Sequence, residues 1–209
     1  LMRGLDSYSQ VAAHELNHGV SIMRDRFLAA GDTGAAQDAE QLLDLVSHIL
    51  ELAKIEATPG YTMQPVSLSE TTASVAALYA DTFEDRNIRF ELKLPLNDRM
   101  EILASAPLLA SAITNLLSNA AKFAPEGSAV LLVLAATDRY FTVTVQDEGP
   151  GVVTTSIAEL AGAGRKAGPG SHGFGLRHVQ AVAIRHGARL TLANTTPGLK
   201  VTIAFVRPT

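Results

Sequence analysis

The chain has 209 residues, 47% of them apolar, with a formal net charge of −4 and no cysteine. That composition can bury a core of ordinary size, excludes disulfide and thiolate chemistry, and argues against nucleic acid as the main partner. The acidity is concentrated at the front. Residues 1–57 hold four basic and nine acidic side chains (−5), and the remainder holds thirteen basic and twelve acidic (+1), so two regions with different tasks are expected.

Residues 1–57 read as a helical hairpin. Val11, Ile22, Met23 and Phe27 mark an apolar stripe on a first helix, and Leu42, Leu45, Val46, Ile49, Leu50 and Ala53 mark one on a second. Between them lies AAGDTGAAQD, where Gly31 and Gly34 suit a helix end and Asp32 or Thr33 can cap the next helix. Two helices have too little interior to stand alone, so the hairpin is expected to pair with a second copy as a dimeric four-helix bundle. The proline- and glycine-bearing stretch ATPGYTMQP then marks a linker at 58–65.

A second region follows at 66–209. Ser69 to Asp85 reads as a serine-capped helix, Ile88 to Leu94 (IRFELKL) as a strand, and Pro107 to Phe123 as a helix. The longest apolar run, AVLLVLAA at 129–136, falls far short of the roughly 20 residues of a membrane span and reads as a buried strand. It pairs with Tyr140 to Gln146 through Thr137-Asp138-Arg139. A glycine-rich stretch from Gly149 to Gly175 precedes a helix to His186 and strands at 188–194 and 199–206. Helices with mostly antiparallel strands in this order predict an α+β fold, a two-layer α/β sandwich behind the hairpin.

Three stretches carry chemistry. On the helix at 107–123, Asn115, Asn119 and Lys122 are spaced i, i+4 and i+7, which places them within roughly 60° on one face. Two amides can hold a hard cation such as Mg²⁺, and an ammonium beside them suits a phosphate. Asp147-Glu148-Gly149-Pro150-Gly151 follows a strand directly. A carboxylate there can accept a hydrogen bond from an exocyclic amine, and the glycines admit a ligand ring close to the backbone. GAGRKAGPGSHGFGL, from Gly162 to Leu176, leads into a helix near Phe174, where backbone N–H groups favour phosphate. It is neither a Walker loop nor a dinucleotide fingerprint. Each stretch alone also reads as an ordinary solvated helix face, turn or loop.

Their order, NLLSNAAKF, then DEGPG, then GFGL, resembles the N box and the two glycine boxes of sensor histidine kinases of two-component systems. HELNH, residues 14–18, resembles their H box, which usually reads H-E-L-R-T-P. The resemblance spans nearly the whole chain. It implies a catalytic domain of the histidine kinase/Hsp90-like ATPase type with ATP and Mg²⁺ as cofactors. It also implies His14 as phosphoacceptor, Glu15 as the acid taking the imidazole proton, Asn119 as metal ligand with Asn115 in support, and Lys122 as phosphate contact. Asp147 would bind adenine, Gly149 and Gly151 would shape its pocket, and Gly173, Phe174, Gly175 and Leu176 would cradle the phosphates. The implied partners are a homodimer mate and a response-regulator receiver domain, in the cytoplasm, with no membrane contact within this stretch. The opening on Leu1 suggests the cytoplasmic part of a longer, membrane-bound sensor.

The sequence departs from the family at His18, which stands where Thr or Asn positions water in kinases that are also response-regulator phosphatases. Gly19 replaces the proline that usually follows, and Asn17 replaces a basic residue. The segment 152–172, which corresponds to the nucleotide lid, lacks the family's aromatics. A second reading of the same architecture is therefore a phosphotransfer or scaffold protein that does not use ATP. HELNH also fits H-E-x-x-H, a zinc peptidase signature. The extended peptidase pattern needs a histidine where Arg24 stands, and a peptidase has no use for the three boxes downstream.

Overall fold

The computed structural model describes residues 19–36, 38, 39, 42, 62–95, 100–156 and 174–208. His14, Glu15, His18 and Gly173 lie outside them. Residues 19–29 are helical. That helix ends as the glycine predicts. Gly31 takes φ +74°, its N–H donates to Leu28 O, and the Asp32 N–H reaches back to Phe27 O. Asp32 also starts the next helical segment, its Oδ1 accepting from the Ala35 N–H at 3.0 Å. Gly34 belongs to that second segment rather than ending the first. Ile22, Met23, Phe27, Leu28 and Leu42 are exposed on the single chain.

The rest is a two-layer sandwich. Helices α1 (Leu68–Asp85), α2 (Ala106–Phe123) and α3 (Phe174–Arg185) cover a five-stranded sheet. Its strands are β2 (Arg89–Lys93), β4 (Ala129–Ala136), β5 (Tyr140–Asp147), β6 (Arg189–Asn194) and β7 (Leu199–Val206), in the order β2-β4-β5-β7-β6. The core lies between the layers, where Val130, Leu132, Phe141, Val143, Val145 and Ile203 meet Leu109, Ile113, Leu116 and Leu117 of α2. Side chains alternate along a strand, so the run AVLLVLAA buries Val130, Leu132 and Leu134 while Leu131 and Val133 are only partly covered. The strand is thus buried on one face, not on both.

Three features differ from the sequence reading. Helix α1 begins at Leu68, and its cap is Ser67, whose hydroxyl accepts from the Glu70 N–H at 3.2 Å; Ser69 lies inside the helix. Gln64 and Pro65, read as linker, open strand β1 (Gln64–Ser67), which pairs antiparallel with β3 (Glu101–Ala104) in a small separate sheet. Neither short strand carries enough alternation to be read alone. Strand β2 joins β4 in parallel, because β3 and α2, which lie between them in the chain, return it to the end of the sheet where β2 began. Among the described residues, no helix is long and apolar enough to cross a membrane.

Candidate functional site

Helix α2 is the spine of the site. Its apolar face, including Leu109, Ile113, Leu116, Leu117 and Ala120, is buried, which turns Asn115, Asn119 and Lys122 away from the centre of the core. Asn115 and Asn119 are half-buried and Lys122 is exposed, its ammonium 5.8 Å from the ring centroid of Phe123. Asn115 is held in place along its own helix, Nδ2 donating to Ser111 O at 3.0 Å.

Asp147 ends β5 and is only 8% exposed. The Gly149 N–H donates to its Oδ1 at 2.7 Å, and the Leu199 backbone N–H gives a second bond. Burial pushes its pKa above the usual aspartate value, and the two N–H donors oppose that rise only in part. A buried carboxylate with these donors keeps further lone pairs that can accept from an amine.

The glycines here are required by contact. A Cβ on Gly149 would stand 2.8 Å from both Asp147 Oδ1 and the backbone oxygen of Phe123, so the turn passes between the aspartate and the end of α2 only because it carries no side chain. Gly151 has φ +71°, and a Cβ there would meet Asn194 Oδ1 at 2.7 Å. Asn194, at the end of β6, was not singled out by sequence reasoning. Its Oδ1 accepts from the Val152 N–H at 2.9 Å and its Nδ2 donates to Val152 O at 2.8 Å, a two-bond clamp on the glycine turn. A polar amide closing the strand RLTLAN was the only available signal.

The start of α3 supplies the third part. A Cβ on Gly175 would lie 3.1 Å from Asn119 Nδ2 and 3.3 Å from Asn115 Oδ1. The glycine near the helix start therefore faces both carboxamides of α2. Phe174 is the first residue of α3, and Leu176 packs against the core. Of the described sequence-predicted set, Asp147 and Gly149 are thus brought to the end of α2 and Gly175 to Asn115 and Asn119, while Gly151 meets Asn194 and Lys122 lies by Phe123. Gly149 lies at Phe123 and Gly175 at Asn115 and Asn119, points separated along the helix axis by roughly 6–12 Å at 1.5 Å per residue. Both glycine cradles would be crowded by a single added methyl.

His178 of α3 and His186, just past its end, also reach α2 and its N-cap Ser105, and were missed. His178 is 1% exposed and shares a hydrogen bond with Ser111 Oγ at 2.8 Å. His186 Nδ1 donates to Val182 O at 2.7 Å while its Nε2 accepts from the Ser105 N–H at 3.0 Å, which fixes a neutral tautomer. Burial lowers its pKa, the Val182 bond opposes this, and Arg185 adds to it. A lone polar residue on an otherwise apolar helix face was the signal for His178.

A family profile described as histidine kinase-, DNA gyrase B-, and HSP90-like ATPase matches residues 104–209, just over half of the chain. The phosphate regulon sensor protein PhoR of Pseudomonas aeruginosa is 31% identical over 170 residues, covering 78% of this chain and 38% of that protein. Hybrid signal transduction histidine kinase D of Dictyostelium discoideum is 28% identical over 178 residues, covering 78% of this chain and 11% of that protein. The chain therefore spans well under half the length of these relatives. Among solved structures, the mycobacterial sensor histidine kinase MprB aligns with a TM-score of 0.57 at 25% identity, over 70% of this chain and 99% of that one. Full-length ShkA in complex with AMPPNP aligns with a TM-score of 0.70 at 22% identity, over 99% of this chain and 46% of that one, a likeness of fold.

Proposed function

The chain belongs to the family of histidine kinase-, DNA gyrase B- and HSP90-like ATPases and carries a sensor histidine kinase catalytic domain; on that premise we propose that it phosphorylates its own His14 from ATP and passes the phosphoryl group to an aspartate of a response regulator. The observation that supports this reading most directly is the approach of Gly175 to Asn115 and Asn119, which joins the N box to the last glycine box.

In this reading Asp147 and the turn of Gly149 and Gly151 hold the adenine. Asn119 is the Mg²⁺ ligand with Asn115 beside it, Lys122 contacts phosphate, and Gly173, Phe174, Gly175 and Leu176 form the phosphate cradle. Bound Mg²⁺ would neutralise charge on the triphosphate. A neutral imidazole nitrogen of His14 attacks the γ-phosphorus, the bond from phosphorus to the bridging oxygen breaks, and ADP leaves. Glu15 takes the imidazole proton. An aspartate carboxylate oxygen then attacks that phosphorus, the phosphorus–nitrogen bond breaks, and the leaving ring takes the proton back from Glu15, which restores the neutral imidazole and leaves an aspartyl phosphate. Positioning and charge neutralisation carry such transfers. His18 occupies the place from which a kinase that is also a phosphatase orients water.

Residues 1–57 form the dimerisation and phosphoacceptor hairpin, 58–65 the linker and 66–209 the ATP-binding domain. The exposed Ile22, Met23, Phe27 and Leu28 support pairing of two hairpins in a four-helix bundle. The test is radiolabelled ATP with purified chain. Acid-labile label on wild type and none on His14→Gln is the expected result. Label that persists in His14→Gln refutes the phosphoacceptor, and a calorimetric titration with Mg·ATP that shows no binding favours a scaffold instead.

A further inference from the structure

Helices α2 and α3 run antiparallel and meet at three polar points. Gly175 lies at Asn119 and Asn115, His178 at Ser111, and His186 at Ser105. The middle point has no part in the proposed chemistry, yet it is a buried imidazole among Val179, Val182 and Ala183. An aliphatic side chain would fill that space without the desolvation that a buried polar group must offset through a hydrogen bond. What an aliphatic residue lacks is direction. Hydrophobic contact is non-directional and lets one helix slide on another, whereas the 2.8 Å bond between His178 Nε2 and Ser111 Oγ fixes one register.

The position of that bond gives it consequence. On α3, His178 is three residues beyond Gly175 and shares its face. On α2, Ser111 is the residue whose carbonyl holds the Asn115 amide, one turn away. The separation between Gly175 and the two carboxamides is already close, since an added Cβ would sit 3.1–3.3 Å from them. A slip of α3 by a few tenths of an ångström would change it.

We propose that Ser111 and His178 are a positioning pair for the phosphate end of the nucleotide site: their hydrogen bond pins α3 to the turn of α2 that holds Asn115, and so sets the gap between the Gly175 backbone and the Asn115 and Asn119 carboxamides. The inference rests on the kinase reading above. It predicts a selective defect, because the Asp147 end is anchored separately through Gly149 and Asn194.

The experiment is calorimetric titration of the full chain with Mg·ATP and, separately, with adenosine, alongside thermal melts. Ser111→Ala/His178→Leu removes both members of that bond at once, so neither is left buried without the other. Its affinity for Mg·ATP should fall about fivefold, the equivalent of one net hydrogen bond, while adenosine affinity and melting temperature stay at wild-type values. Ser111→Thr, which keeps the hydroxyl, should bind Mg·ATP as wild type does. If the double variant folds less stably, Ser111→Ala alone provides the same comparison. Unchanged Mg·ATP affinity, or an equal loss for adenosine, overturns the pair. A wild-type chain that binds adenosine but not Mg·ATP fails the kinase reading itself and the pair with it.

Discussion

The two ends of the site are held by different means. At the Asp147 end, the close neighbours include backbone of other segments. Gly149 passes within 2.8 Å, at its absent Cβ, of a carboxylate and of a helix carbonyl, Gly198 (φ +107°) packs on the Asp147 carbonyl, and Asn194 clasps Val152 with two bonds. At the Gly175 end, the close neighbours are ends of side chains, Asn119 and Asn115, and the register between helices comes from a hydroxyl and an imidazole. Backbone cannot yield without moving a strand or a helix, whereas the Asn119 carboxamide, the nearest neighbour of Gly175, can rotate. The Asp147 end is therefore a rigid socket and the Gly175 end an adjustable one.

The sharpest way to break this comparison is to add one methyl at each end. Gly149→Ala should cost about 3 kcal/mol of stability, in the range of overpacking that displaces backbone, and remove nucleotide binding. Gly175→Ala, set against amide groups that can turn, should stay within about 1 kcal/mol of wild type and keep adenosine binding while weakening Mg·ATP. Urea unfolding midpoints for the two variants measure the difference, and equal losses would erase the distinction. A smaller effect is expected at the clamp. Asn194→Ala removes two exposed hydrogen bonds and should cost about 1 kcal/mol, with adenosine affinity falling at least as far as Mg·ATP affinity, the reverse of the Ser111–His178 pattern.

The smallest effect concerns pH. His186 is neutral in the fold, with its pKa lowered chiefly by burial, and its Nε2 must stay unprotonated to accept from the Ser105 N–H. The unfolded chain binds a proton near 6.5 and the folded chain below that. The contribution of His186 is thus complete above the unfolded value and is lost as pH falls through it toward the folded one. Melting temperatures compared at about pH 7.5 and about pH 5.5 should drop less in His186→Gln than in wild type. An equal drop in both would mean that acid acts through other groups.

Much of the fold was legible because it is local. The periodicity of LLASAITNLLSNAAKF, the turn between two apolar strands at Thr137-Asp138-Arg139, and the φ > 0 glycine at 31 each act through neighbours a few residues away. The amides of α2 and the aspartate of DEGPG were legible for a related reason, since box spacing along one helix or at one strand end fixes which groups point together. Gln64 and Pro65 misled because their local chemistry reads as linker, whereas pairing with Leu103 and Ala104 across the chain makes them strand.

By itself, then, the sequence determined the helices α1, α2 and α3, the hairpin strands β4 and β5 and the polar face of α2, since each follows from backbone preference and near-neighbour periodicity. Only the tertiary structure decided that β2 lies parallel to β4, that Asn194 clasps a turn 42 residues away, and that His178 bonds Ser111 across 67 residues. Those contacts form between segments with no local preference for each other. They are selected by the burial of one shared core, and it is that core which carries Gly175 to the amides of α2.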